Sequence, residues 1–261
     1  MDSCVRNPAK PTTAPIDAQS VHVYAVRLTA SPSSTRQYRT FLSPEEKTRA
    51  ERFAFGSLSQ SYELSQGALR LLLAQFLGIA PAEIVITTAK HGKPVLQNDP
   101  SLHFNKTHSG GLALYAFTRD CKIGIDVEEL REIDEADQLA ARYFAPAERS
   151  ALSSQGDARK KSECFTRFWT RKEAYLKATG TGLLAPLEQI DASRWGRDSV
   201  QASDSNVPTA MRAEWIVEEF KPDEGYIGAL AYCSEHRQIV INRPLTCDEL
   251  LSALSKTKRV T

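Results

Sequence analysis

The stretch Ile123-Gly124-Ile125-Asp126-Val127-Glu128 alternates apolar residues with small or acidic ones, which predicts a β-strand with one buried face. Because successive strand side chains point to opposite faces, Asp126 and Glu128 share a face and lie about 6.6 Å apart along the strand. Two carboxylates at this spacing can bind one hard cation, which prefers oxygen ligands, and Gly124 beside them leaves room for a substrate. An edge strand with two solvated acids is the competing interpretation.

A segment rich in glycine and hydrogen-bonding side chains precedes this strand, Phe104-Asn105-Lys106-Thr107-His108-Ser109-Gly110-Gly111. Hydroxyls, a histidine and exposed backbone amides suit a phosphate group, although the same composition is typical of an ordinary polar loop. The apolar strand predicted over residues 112–117 follows. If residues 118–121 form a tight turn, the strands on either side form a hairpin that brings His108 and Ser109 to the carboxylates.

The helix predicted over residues 161–178 contains a lysine at an unexpected position. At about 100° per residue its apolar side chains share one arc of about 120°, and Lys172 lies in the middle of that arc. An ammonium group in such surroundings requires a partner, so an anion is expected beside Lys172. Glu173 and Lys177 lie at the edge of the arc, where they can face a site or simply form an i,i+4 ion pair.

Strands and helices follow one another in the same order in the two halves of the chain, which share no evident sequence identity. The regular strand–helix alternation of doubly wound folds is absent, so the sequence predicts an α+β fold with two similar lobes. The lobes are expected at residues 20–121 and 122–234, between a disordered tail (1–19) and a C-terminal extension (235–261). The predicted strands cover residues 21–26, 84–86, 112–117, 123–127, 215–220 and 226–232, and the predicted helices begin at Ser43, cover 64–77, begin at Ala145 and cover 161–178.

The composition argues against several classes of protein. The 261 residues include 33 basic and 32 acidic side chains, so the chain lacks the basic excess of a general nucleic-acid binder. Its most apolar stretch, residues 68–80, is too short and too polar to span a membrane, and the first 20 residues do not resemble a secretory signal. The five cysteines are scattered without metal-binding spacing, which predicts reduced thiols in a cytoplasmic protein.

Taken together, these segments resemble the signature blocks of the Sfp-type 4′-phosphopantetheinyl transferases in both order and spacing. The similarity covers about residues 21–232. One such block is weak evidence, whereas four in register are specific. The four are Gly92-Lys93-Pro94, Phe104-Asn105-Lys106-Thr107-His108-Ser109, Ile123-Gly124-Ile125-Asp126-Val127-Glu128 and Trp169-Thr170-Arg171-Lys172-Glu173-Ala174-Tyr175-Leu176-Lys177, supported by Tyr143-Phe144-Ala145-Pro146-Ala147-Glu148 and Gly180-Thr181-Gly182-Leu183.

The resemblance implies two α+β lobes related by a pseudo-twofold axis, each a small antiparallel sheet packed on a long helix, with coenzyme A in the cleft between them. It further implies an enzyme that transfers the 4′-phosphopantetheine group of coenzyme A to a serine of an apo acyl-carrier or peptidyl-carrier protein. The other product would be 3′,5′-ADP. A monomer is expected, because both lobes belong to one chain.

The resemblance also implies roles for individual residues. Asp126, Glu128 and Glu173 would hold Mg²⁺, and Asp126, Lys177 and Glu173 would be catalytic. Either Glu173 or a water on the magnesium would accept the proton of the serine. Glu148 matches an acidic family position close to the metal. Contacts to coenzyme A are implied for Lys93, Pro94, Thr107, His108, Lys172 and Lys177.

The chain departs from the family pattern in two places. Thr107 stands where serine is usual, which keeps the hydroxyl group. Ser61 and Gln66 occupy helix positions where relatives commonly carry arginine, which puts the contacts to the adenosine 3′-phosphate in doubt. Arg49 is expected to supply positive charge to that phosphate, together with Lys93 and His108.

Two alternative functions are compatible with the same residues. A metal-dependent nuclease of the Asp…Glu-x-Lys kind also combines acids with a lysine, but here Leu130 stands two residues after Glu128. A catalytically degenerate relative would bind a carrier protein or a nucleotide without turnover, although every implied metal ligand is present.

Overall fold

The computed structural model describes residues 5–6, 16–89, 92–182, 185–193, 195, 215–233 and 237–255. Most of the predicted disordered tail, residues 1–4 and 7–15, lies outside the described residues. The strands are β1 (Val5–Arg6), β2 (Ser20–Arg27), β3 (Ile86–Thr88), β4 (Pro94–Leu96), β5 (Leu102–Ser109), β6 (Leu112–Arg119), β7 (Ile123–Glu129), β8 (Trp215–Phe220), β9 (Tyr226–Cys233) and β10 (Gln238–Thr246). The helices are α1 (Pro32–Phe41), α2 (Pro44–Glu51), α3 (Gly56–Leu77), α4 (Ala136–Tyr143), α5 (Pro146–Ser153), α6 (Ala158–Thr179) and α7 (Cys247–Ser255).

Local sequence signals set the ends of the helices. α2 begins where predicted because the Ser43 hydroxyl accepts a hydrogen bond from the Glu46 amide, while the Glu46 carboxylate accepts one from the Ser43 amide. α3 and α6 each end at a left-handed glycine, Gly78 with φ 70° and Gly180 with φ 73°. α3 begins at Gly56, before the predicted residue 64. The prediction missed its first turns because they are mostly exposed and show no apolar periodicity.

The described chain is built of four layers, in the order helix, sheet, sheet, helix. The first of these two stacked sheets has the strand order β1-β10-β2-β6-β5 and the second has the order β7-β9-β8, while β3 and β4 form a separate two-stranded sheet. α3 and α7 cover one face of the first sheet, around Tyr24 and Tyr115. The opposite face, with Val23, packs on Ile125 of the second sheet, and α6 covers the far face of that sheet. Each sheet therefore packs on a 22-residue helix. The α+β prediction is confirmed, while a pseudo-twofold axis stays a prediction.

The first sheet is mixed instead of antiparallel, and the difference comes from the C-terminal extension. β10 lies between β1 and β2 and runs parallel to both. α7 follows it and buries Leu250 and Leu254 in the core beneath α3. The polar composition of this segment gave little indication of structure, yet its apolar residues complete the core of the N-terminal half.

The predicted hairpin around residues 118–121 is wrong. β6 has β2 on one side and β5 on the other, so no edge of β6 is left for β7, which pairs with β9. The segment with the composition of a polar loop is strand β5. β5 and β7 are edge strands of their two sheets, and side-chain hydrogen bonds join them.

No helix among the described residues is long and apolar enough to cross a membrane.

Candidate functional site

Asp126 lies at the centre of a polar cluster formed by β5, β7 and α6. Only 3 % of the residue is exposed, and its Oδ1 accepts hydrogen bonds from Thr107 Oγ1 at 2.9 Å and Lys177 Nζ at 2.5 Å. Burial raises the pKa of Asp126, while the Lys177 ammonium and the Thr107 hydroxyl oppose that shift. Asp126 Oδ2 is buried without a hydrogen-bond partner among the described residues.

Two further carboxylates lie beside Asp126. Glu128 is half-buried, and its Oε2 accepts a hydrogen bond from Ser109 Oγ at 2.7 Å. Burial raises the pKa of Glu128, and the charge of Asp126 adds to the shift. Burial also raises the pKa of Glu173, where Lys177 opposes the shift and the charges of Asp126 and Glu128 add to it. The three acids therefore form one electrostatically coupled group around one lysine.

Helix α6 reaches this group because β7 has no side chain at one position. A Cβ atom on Gly124 would lie 2.1 Å from the Ala174 carbonyl oxygen and 2.3 Å from the Ala178 amide nitrogen. Gly124 thus allows the backbones of β7 and α6 to meet, instead of leaving room for a substrate as the sequence suggested. This contact directs Lys177 of α6 at Asp126, and no ion pair joins Lys177 to Glu173 in the described chain.

The donor set fits a divalent cation in its chemistry. Carboxylate oxygens are the ligands that magnesium prefers, and the buried, unpartnered Oδ2 of Asp126 is an oxygen that a cation would satisfy. In this conformation the described residues contain no group of three or more His, Cys, Asp or Glu side chains already arranged around one ion position. Asp126, Glu128 and Glu173 are the residues that could hold the ion, and in this conformation Lys177 binds Asp126 Oδ1.

Lys172 has the anionic partner that its position predicts, but the partner belongs to the protein. Its Nζ contacts Glu148 Oε2 at 2.6 Å and donates to the carbonyl oxygens of Tyr143 at 3.0 Å and Leu187 at 2.7 Å. Lys172 is 1 % exposed and Glu148 is fully buried. Protein oxygens therefore take up all three donors of this ammonium group, and Glu148 is its buried counter-ion.

Lys93 also donates its hydrogen bonds to protein oxygens. It precedes β4, and its Nζ donates to the carbonyl oxygens of Lys177 at 2.7 Å, Ile123 at 3.0 Å and Ala178 at 3.1 Å. Burial lowers the pKa of Lys93 to about 8. A cation at the C-terminus of α6 interacts favourably with the helix dipole, so Lys93 fixes the end of the helix that carries Lys177. Pro94, the first residue of β4, is half-buried beside it.

The remaining predicted contacts to coenzyme A lie on β5 and α2. Thr107 faces Asp126, whereas His108 is exposed on the opposite face of β5. On that face Lys106 donates to Gln66 Oε1, so the glutamine at the expected arginine position is part of a polar network. Arg49 of α2 is exposed.

An aromatic ring brings these cations together. The guanidinium carbon of Arg49 lies 5.5 Å from the centre of the Tyr62 ring, and Lys106 Nζ lies 5.9 Å from it. Burial lowers the pKa of Lys106 to about 8. Tyr62 and Lys106 were not identified from the sequence, although strand alternation would have placed Lys106 beside His108 had residues 102–109 been assigned to a strand.

Two family models match this chain in adjacent segments. The model described as the 4′-phosphopantetheinyl transferase superfamily matches residues 122–231, and the one described as 4′-phosphopantetheinyl transferase, N-terminal, matches residues 29–119.

Curated relatives match over most of their length. The 4′-phosphopantetheinyl transferase HetI of Nostoc sp. is 34 % identical over 85 % of this chain and 91 % of its own. The 4′-phosphopantetheinyl transferase psf-1 of Bacillus pumilus is 32 % identical over 84 % and 90 %, and Sfp of Bacillus subtilis is 27 % identical over 79 % and 88 %. Because HetI and psf-1 are 34 % and 32 % identical over most of this chain, and the superfamily model covers every residue of the carboxylate cluster, the chain belongs to the 4′-phosphopantetheinyl transferase family.

Proposed function

We propose that this chain transfers the 4′-phosphopantetheine group of coenzyme A to a serine of an apo acyl-carrier or peptidyl-carrier protein and releases 3′,5′-ADP. Family membership supports the transfer of phosphopantetheine and leaves no support for the nuclease alternative. The observation that carries the proposal is the group of Asp126, Glu128, Glu173 and Lys177 between β5 and α6. A pyrophosphate substrate needs ligands for a cation and an additional positive charge, and this group offers both.

Magnesium is part of the proposal, with Asp126, Glu128 and Glu173 as its ligands. When bound, it would neutralise negative charge on the pyrophosphate of coenzyme A. The buried Oδ2 of Asp126 supports this assignment, because an unpartnered carboxylate oxygen in the protein interior is costly. Burial and the charge of Asp126 raise the pKa values of Glu128 and Glu173, and a bound cation would offset both causes.

The reaction exchanges one phosphorus–oxygen bond for another. The carrier serine oxygen would bond to the β-phosphorus while the bond from that phosphorus to the bridging oxygen breaks, and 3′,5′-ADP would leave with the electron pair. Lys177 Nζ would stabilise charge on the bridging oxygen. Its side chain is 29 % exposed, so it can exchange Asp126 for the pyrophosphate.

Glu173 would accept the proton of the carrier serine. It is half-buried on α6, one turn before Lys177, and burial raises its pKa. A raised pKa makes a carboxylate a stronger base than a solvated one. Asp126 is less suited to this role, because only 3 % of it is exposed to an incoming serine.

We assign the nucleotide end of coenzyme A to the α2–α3 side of β5. Arg49 and Lys106 supply positive charge there, His108 is exposed beside them, and Tyr62 offers an aromatic face. Thr107 and Pro94 would line the site closer to the pyrophosphate. Lys93 and Lys172 stay outside this set, because protein oxygens take up the donors of both.

The division into lobes at residues 20–121 and 122–234 is also proposed, and the two family models that meet between residues 119 and 122 support it. A monomer is proposed because the carboxylates and Lys177 come from one chain. A cytoplasmic location is proposed from the scattered cysteines alone.

The test is incubation with coenzyme A, Mg²⁺ and a panel of apo carrier-protein domains, followed by intact-mass measurement. The expected result is the gain of one phosphopantetheine on at least one carrier, lost when its serine is replaced by alanine. Asp126→Asn is the matched control for the metal site. Binding of carrier and coenzyme A without any mass gain would favour the catalytically degenerate relative.

A further inference from the structure

β5 and β7 lie side by side without pairing through their backbones. In the described chain β5 has backbone partners on β6, and β7 has them on β9. The edges that face each other belong to different sheets. An exposed edge leaves amide and carbonyl groups unsatisfied unless something covers it. β9 sets the register of β7 within the second sheet, so the register of β7 relative to β5 needs another source.

Three alternate side chains of β5 provide it. Asn105 Oδ1 accepts a hydrogen bond from the Ile125 amide at 2.9 Å. Thr107 Oγ1 donates to Asp126 Oδ1 at 2.9 Å, and Ser109 Oγ donates to Glu128 Oε2 at 2.7 Å. Residues i, i+2 and i+4 of a strand share one face, so these contacts form a continuous row, named here the polar seam (Asn105, Thr107 and Ser109).

The polar seam fixes backbone and carboxylates together. Ser109 Oγ also accepts a hydrogen bond from the Glu129 amide at 3.2 Å, so one hydroxyl holds both the edge of β7 and the side chain of Glu128. Asn105 is 6 % exposed, which makes its bond to the Ile125 amide one that water cannot readily replace. Thr107 and Ser109 each donate to a carboxylate of the site already described, and Asn105 accepts from the backbone of β7.

We propose that Asn105 and Ser109 are positioning residues that hold β7 in register with β5 and turn Glu128 toward the cation site. This inference rests on the proposed function, because it assigns the polar seam to the metal-binding carboxylates. A hydrogen bond from a hydroxyl to a carboxylate fixes which oxygen faces the donor and favours the ionised form. Metal ligands in proteins are commonly oriented by such outer partners, and losing one typically weakens metal binding about 10- to 100-fold.

The experiment measures Mn²⁺ binding to the full-length protein by electron paramagnetic resonance, without coenzyme A or carrier protein. Ser109→Ala is expected to weaken Mn²⁺ about tenfold, at the low end of that range because Glu128 is half-buried. Ser109→Thr keeps the hydroxyl and is expected to restore the affinity. Ser153→Ala is the control, since the Ser153 hydroxyl on α5 donates to the Arg149 carbonyl in its own helix and to no other group in the described part of the chain.

Turnover adds a second readout. The Mg²⁺ concentration for half-maximal activity is expected to rise about tenfold in Ser109→Ala, while kcat at saturating Mg²⁺ falls much less. Unchanged Mn²⁺ affinity in Ser109→Ala, with lower thermal stability, would overturn the inference. The polar seam would then stabilise the fold without orienting Glu128. Asn105→Ser replaces the amide oxygen that accepts from Ile125 with a shorter side chain, and it is also expected to weaken Mn²⁺ binding. If this variant does not fold, the Ser109 variants decide whether the inference holds.

Failure of the proposed function gives a different pattern. If the unmodified protein binds no Mn²⁺ and modifies no carrier, the metal assignment itself is wrong and the inference falls with it. If the unmodified protein is active and binds Mn²⁺ but Ser109→Ala matches it in both assays, only the inference is wrong.

Discussion

Replacing Lys172 by methionine tests whether this lysine serves the interior or the cofactor. Lys172 is 1 % exposed, and its Nζ lies 2.6 Å from Glu148 Oε2. Glu148 also accepts hydrogen bonds from the amides of Ala145 at 2.7 Å and Ala192 at 2.8 Å. Without Lys172 these two amides remain, but the fully buried carboxylate loses its only counter-ion among the described residues. Breaking such a pair typically costs about 3–5 kcal/mol.

We therefore expect Lys172→Met to lower the free energy of unfolding by about 3–5 kcal/mol at pH 7, measured by urea titration. Glu148→Gln combined with Lys172→Met leaves no buried charge and should regain most of the loss. Lys161→Met is the surface control. Lys161 pairs with Asp137 at 2.8 Å while 65 % of the aspartate is exposed, so its loss should cost less than about 1 kcal/mol.

The pH dependence of this variant has a defined sign. Burial already raises the pKa of Glu148, and removing Lys172 raises it further. A folded-state pKa above the unfolded value stabilises the protein below the unfolded pKa, and this contribution is lost as the pH rises through the folded pKa. Lys172→Met should therefore differ least from the unmodified protein in acid and most at neutral pH and above. Unchanged stability together with weaker coenzyme A binding by calorimetry would refute the interior role.

Three further predictions concern the site and its surroundings. Asp126→Asn should reduce kcat by about 10²–10³-fold, because it removes a charged metal ligand, while the thermal midpoint changes little; near-normal turnover at saturating Mg²⁺ would contradict the metal assignment. Gly124→Ala should lower the free energy of unfolding by about 1–3 kcal/mol or more in urea titration, because its Cβ would lie 2.1 Å from the Ala174 carbonyl oxygen. An unchanged midpoint would refute the close packing of β7 on α6. Burial lowers the pKa of Lys106 from 10.5 to about 8 in the folded protein, so the unfolded chain binds more protons between these two pH values and the free energy of unfolding rises with pH across them. Lys106→Met should remove this rise. Parallel pH profiles of the two proteins would show that Lys106 is not buried.

Sequence by itself determined several of the secondary elements and the identity of the central carboxylates. β8 has the predicted bounds, and α6 extends the predicted residues 161–178 by one to three residues at its ends. These features follow from local physics, because side-chain periodicity, proline at a helix start and glycine at a helix end act within a few residues. The match to a known family also follows from sequence, since it rests on short blocks in a fixed order.

Tertiary structure decided which elements meet. β7 pairs with β9 instead of β6, and β10 enters the first sheet from the far end of the chain. Lys172 has Glu148 as its partner and Lys93 caps α6, so protein oxygens bind the ammonium groups of two lysines that the sequence placed at the cofactor. A strand can pair at either edge, and the long, flexible side chain of a lysine can reach several acceptors. The residues next to them in sequence therefore do not indicate which partner is chosen. That choice depends on which surfaces folding brings within hydrogen-bond distance, and this distance is set by packing between residues far apart in the chain.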